Sequence, residues 1–100
     1  MTIAVFNKGE FVDFWLNEPS DKGWVERTIA AKGWLRQDVE VYLYELNRTG
    51  SELLSFDGQK NLQKMVANIG QDGNGDPITY YTVEQTYNKI AYYLNGTMVE

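Results

Sequence analysis

The chain contains neither cysteine nor histidine. No disulfide and no Cys/His zinc site can staple it, so its fold must rest on buried apolar surface. Its 100 residues are enough for that, since a chain of this size buries roughly two-thirds of the surface its unfolded form exposes. The same two absences exclude haem ligation by His or Cys, Fe–S clusters, thiol nucleophiles and every Ser-His-acid triad. They also remove the side chain that titrates nearest neutrality. With 43% apolar and 23% charged residues the composition is globular, not disordered. The expectation is a single domain over 1–100, of the α+β class.

Local patterns predict an antiparallel sheet with helices. Residues 2–6 are β-prone, and Asn7-Lys8-Gly9 reads as a three-residue hairpin loop in which Gly9 takes the positive φ of a bulge. A return strand over 10–16 puts Val12, Phe14 and Leu16 on the expected core face, and Phe11, Asp13 and Trp15 on the other. Asn17-Glu18-Pro19-Ser20-Asp21 signals a helix start; the helix should run to Lys32 and stop at Gly33. Residues 38–46 form the clearest strand, with Val39, Val41 and Leu43 alternating with Glu40, Tyr42 and Tyr44. Asn47-Arg48-Thr49-Gly50 turns the chain into a return strand over 52–56. Leu62, Met65, Val66 and Ile69 have helical spacing and predict a helix over 59–69, stopped by Gly70. A Gly-rich loop over 71–77 and a short extended piece at 78–81 follow. Thr82-Val83-Glu84-Gln85 then fits a capping box and predicts a last helix through Leu94, closed by Asn95-Gly96. The expected order is ββαββα plus this C-terminal helix. Two hairpins would join edge to edge in one sheet, helices would cover one face, and the other face would stay open.

Fourteen acids against nine bases give a net charge of −5. The ratio is ten to six over 1–57 and four to three over 58–100. Affinity for nucleic acid comes largely from Lys and Arg displacing counterions, and the nearest basic neighbours here are only Arg27, Lys32 and Arg36. Neither nucleic acid nor a membrane is expected as a direct partner; a basic protein surface is. The apolar run at 3–6 is too short for a signal-peptide core, and no stretch is long enough to span a membrane. The expected location is cytoplasmic, where the sequons at Asn47 and Asn95 carry no meaning.

Motifs for chemistry are incomplete. Asp72-Gly73-Asn74-Gly75-Asp76 begins like a Ca²⁺-binding loop, but Pro77 stands where the sixth-position Gly belongs and Val83 where the bidentate Glu belongs. Asp, Asn and Gly favour turns for their own reasons, and no metal or other cofactor is expected. No phosphate-binding glycine motif occurs. Ser20, Ser51 and Ser55 have no base partner, and Lys60 and Lys64 read as solvated charge. Glu40 and Glu45 fall on opposite strand faces, and a small open sheet offers no cleft for an acid pair. The chain is read as no enzyme.

Aromatic residues make up 14%, and five of the seven tyrosines lie in the last 21 residues. They are interleaved with acids rather than bases, which suits protein interfaces or core completion better than base stacking. The open face is expected to carry Asp13, Asp38, Glu40, Tyr42 and Tyr44. The function expected from this is a small acidic interaction module facing a protein with a basic surface. One form of it is an inhibitor of a nucleic-acid-binding enzyme or complex, with carboxylates in the places of phosphates. Small anti-restriction and anti-CRISPR proteins share such size and charge as a class, without sharing a residue motif with this chain. The alternative is a small-molecule or Ca²⁺-binding domain using the 71–77 loop and the C-terminal tyrosines.

Overall fold

The computed structural model describes residues 1–99. The chain forms two compact units: Met1–Gly50 together with the chain from Lys89 onward, and Ser51–Asn88. The class is broadly α+β, mostly antiparallel sheet with one short α-helix. Among the described residues, no helix is long and apolar enough to cross a membrane.

The first unit holds β1 (Thr2–Asn7), β2 (Glu10–Trp15), α1 (Trp24–Lys32), a 3₁₀ turn at Arg36–Asp38, β3 (Val39–Tyr44), β7 (Ile90–Leu94) and β8 (Thr97–Met98). Its sheet order is β2-β1-β3-β7-β8, and every pairing is antiparallel. Lys8 and Gly9 both have positive φ, 53° and 81°. The first loop is therefore a two-residue turn of the primed kind rather than three residues with a bulge, matching the twist of the strands it joins. The bulge lies further on. The register slips between Val5 and Phe6, so that Phe6 faces Phe11 while Val5 faces Asp13. Val12 is the extra residue, and the rest of β2 changes face. Trp15 packs on the core, whereas Val12 and Leu16 are exposed, which reverses the expected facing.

The core of this unit forms where Ile3, Val5, Val39, Val41, Leu43 and Tyr93 meet Trp24, Val25 and Ile29 of α1. The helix begins seven residues after the Asn17 signal, because residues 17–22 make bends and turns instead. Asp21 accepts the Gly23 amide at 2.8 Å on its side chain and the Trp24 amide at 3.2 Å on its carbonyl. The helix ends as expected. Gly33 is left-handed at φ 73°, and the Gly33 and Trp34 amides both donate to the Ile29 carbonyl. Because a Cβ is strained in that conformation, Gly33→Ala is expected to cost about 1 kcal/mol in a thermal or denaturant melt. An unchanged melt would contradict the cap geometry.

The second hairpin does not form as expected. β3 pairs with β1 on one side and β7 on the other, so neither edge is left for residues 52–56. Those residues become β4 (Leu53–Phe56), the first strand of the second unit. β4 pairs with β5 (Leu62–Gln71), and β5 with β6 (Pro77–Tyr87), giving a three-stranded antiparallel sheet in the order β4-β5-β6. The helices predicted over 59–69 and 82–94 are thus strands, and the ββαββα order is replaced. Leu62 and Val66 lie on one face of β5, Met65 and Ile69 on the other, so helical spacing here marks a strand with apolar residues on both faces. The Thr82 hydroxyl accepts from Asn68 Nδ2 across the strands at 3.0 Å and caps no helix. Asn95-Gly96, read as a helix stop, has φ of 52° and 85° and is the tight turn between β7 and β8.

Candidate functional site

β5 and β6 form a ribbon ten pairs long. Its outer part, residues 65–71 and 77–83, contains no Asp, Glu, Lys or Arg among fourteen residues. A chain with 23% charged residues would be expected to place about three there, and more on an exposed ribbon. The residues are exposed nonetheless: Ile69 is 79%, Tyr81 57% and Val83 47% accessible. Such residues seldom gather uncharged on a surface that stays bare.

The register separates the ribbon into two faces. One carries Met65 opposite Val83, Ala67 opposite Tyr81 and Ile69 opposite Thr79, with Leu53 of β4 beside Met65. No charged residue lies on this face anywhere between Gln63 and Gln71 or between Pro77 and Val83. The other face carries Tyr80 and Ile78. Tyr80 leans over Gly70, where an added Cβ would come within 3.1 Å of its ring. Gly70 therefore seats an aromatic ring rather than stopping a helix. Asn68 ties Val66 and Thr82 together on the same face, with Nδ2 at 3.1 and 3.0 Å. Charge returns only at the ends. At the base Lys64 meets Glu84 at 3.4 Å, and Glu84 is the bulged residue of β6. At the tip Asp72 folds inward, its Oδ1 accepting the Asn74 and Asp76 amides at 2.8 and 3.0 Å. Among the described residues no group of three or more Asp, Glu, His or Cys gathers as around a metal ion.

The five residues expected on one open face do not share one. Glu40, Tyr42 and Tyr44 lie on one side of β3. Asp13 pairs with Val5 and so stands on the helix side, turned there by the bulge in β2, with its Oδ1 on the Phe14 amide at 2.8 Å. Asp38 ends the 3₁₀ turn and passes its carbonyl to the Lys8 amide at 2.9 Å. Tyr42 and Tyr44 are buried, 5% and 0% accessible. The acid beside them does not prevent this, because the Tyr42 hydroxyl donates to the Glu40 carboxylate. Phe6 packs edge-on against Tyr42 at 5.7 Å, and the Lys89 ammonium sits 5.1 Å from the Tyr42 ring. Burial, and then the hydrogen bond to Glu40 and its charge, push the Tyr42 phenol well above the ordinary tyrosine range. Of the C-terminal tyrosines, Tyr92 and Tyr93 belong to the core, while Tyr80 and Tyr81 are exposed. The Tyr93 phenol is raised first by burial and then by its 3.1 Å hydrogen bond to Glu26.

The sequence pattern assigned Leu53, Ile69 and Val83 no binding role, and Tyr81 entered only with the C-terminal tyrosines of the alternative function. The signal that finds them is the β-branched and aromatic run Ile78–Val83 facing Val66–Ile69 across an Asp/Asn/Gly turn, all without charge. No family model matches the chain, and neither a curated protein nor a solved structure matches it significantly.

Proposed function

We propose that the chain is a non-enzymatic protein-interaction module whose binding element is the uncharged face of the β5–β6 ribbon. The observation that carries this reading is the exposure of Ile69, Tyr81 and Val83 on a face without a single charge. Apolar side chains held on a paired ribbon lose little freedom on docking, and Tyr and other large side chains are favoured anchors. The unit that bears the ribbon has five acids, Glu52, Asp57, Asp72, Asp76 and Glu84, against Lys60 and Lys64, so its net charge is −3. A partner with an apolar seat and basic groups near the tip complements it. An enzyme or complex that handles nucleic acid is the narrower form of such a partner, with Asp72 and Asp76 meeting Lys or Arg otherwise used for phosphates.

The test places a photo-crosslinking residue at position 69, or at position 32 as a control on α1, in cells of the native host. A single discrete heterologous adduct is expected from position 69 and none from position 32, and Tyr81→Lys is expected to reduce it at least tenfold. Equal adducts from both positions, or none from 69, would overturn the reading. If the narrower form holds, the complex should weaken steeply as salt rises.

A further inference from the structure

The ribbon has an edge as well as a face. Among the described residues β6 pairs only with β5, so its other side presents unpaired main-chain groups. Over Pro77–Val83 this edge carries no charge, and charges are among the devices that protect edge strands from pairing. The groups it offers are those of the main chain, and the occupant they fit is another extended strand.

The geometry points to a second copy of this chain as that occupant, its β6 antiparallel to the first across a two-fold axis. Register selects it. Two chains of net −5 repel each other broadly, and that repulsion is least where the meeting segment carries no charge. A two-fold axis normal to the sheet must keep each face on its own side, which allows pairing about Tyr80 or about Tyr81. Pairing about Tyr80 would set Asp76 opposite Glu84 of the other copy. Pairing about Tyr81 removes that clash and sets Tyr81 opposite Tyr81, Tyr80 opposite Thr82 and Thr79 opposite Val83. Each of these pairs is aromatic or β-branched, the kind that stabilises antiparallel strands. The result is a six-stranded sheet, β4-β5-β6 continued into β6-β5-β4, with the two uncharged faces side by side. The uncharged pairing about Tyr81 runs over Thr79–Val83, five residues and about 17 Å of edge, short of the standard interface, so the dimer is concentration-dependent rather than obligate. The inference goes beyond the proposed function: the main-chain edge of β6 joins the copies, and Tyr81 is the residue that takes part in both.

Sedimentation velocity over micromolar to sub-millimolar concentrations tests it, with Tyr81→Lys and Tyr81→Glu alongside the wild type. Tyr81 is exposed and lies on the opposite face of the ribbon from the Tyr80–Gly70 contact. The wild type is expected to pass from one chain to two. Each variant alone is expected to stay single, because like charges meet on the axis. An equimolar mixture of the two variants is expected to regain the dimer, which also shows that both are folded. A wild type that stays single, a dimer that survives in each variant alone, or a mixture that stays single would overturn the inference. A single-chain wild type that still gives the heterologous adduct from position 69 removes the dimer and leaves the proposed function standing; loss of that adduct alone does the reverse.

Discussion

Trp24→Ala is expected to destabilise the unit formed by Met1–Gly50 and the chain from Lys89 by about 3–5 kcal/mol. Trp24 is the first residue of α1 and is 5% accessible. Its ring lies tilted against Trp15 at 4.9 Å and stacked on Tyr92 at 6.2 Å. It thus joins the end of β2 and the start of the helix to β7, which is distant from both in sequence. Truncation removes the largest apolar side chain of the helix and leaves a hole that a hydrogen-bonded sheet cannot close, so the cavity cost adds to the lost transfer energy. With no disulfide or metal as a second source of stability, a loss of this size is a large share of what a small unit has. Trp24→Phe keeps a ring between Trp15 and Tyr92 and is expected to lose less than half as much. Denaturant unfolding followed by tryptophan fluorescence gives both values. Equal losses for Ala and Phe, or a loss under 1 kcal/mol for Ala, would show that this aromatic contact does not hold the unit together.

Much of this unit is legible in the sequence, and its exceptions have local causes. Strand alternation in β3, the strand at 2–6 and the helix stop at Gly33 are all where the pattern puts them. The bulge at Val12 is not, because bulge and regular register use the same residues and differ only in which face they turn inward. That single residue moved Asp13 away from the face of Glu40 and Tyr42. The burial of Tyr42 and Tyr44 was hidden for a different reason: Glu40 argues for solvent unless its hydroxyl partner is known. Residues 59–69 and 82–94 were misread more broadly. A strand that buries one face shows a period of two, but β5 and β6 place apolar residues on both faces, and the period dissolves into spacings of three and four. The β-branched and aromatic content of 78–87 carries the strand signal that the period hides. The candidate site followed the same rule: its mark is the absence of charge, which no motif records.

Raising the pH beyond about 10 is expected to unfold the first unit cooperatively, through three of its tyrosines. Tyr42, Tyr92 and Tyr93 are all buried, and burial is the first cause lifting each phenol above the ordinary value of 10.0. Glu40, Glu18 and Glu26, respectively, add to the shift, since each is an acid beside a group that would itself become an anion. A folded pKa above the unfolded one means that the folded state holds more protons once the unfolded chain begins to release them. Stability from this source is therefore complete below pH 10 and is lost as the pH climbs toward the folded values. Each proton withheld contributes a slope of about 1.4 kcal/mol per pH unit. Tyr42→Phe separates the two roles of that hydroxyl. At neutral pH it leaves the half-buried Glu40 carboxylate without this donor, at a cost of about 1 kcal/mol or somewhat more. Above pH 10 it removes one of the three proton-linked losses, so its stability falls less steeply than that of the wild type. The two curves of unfolding free energy against pH should approach each other as the solution becomes alkaline. Parallel curves, or a wild-type stability that stays level from about pH 10 to 12, would show that these phenols are not held protonated by the fold.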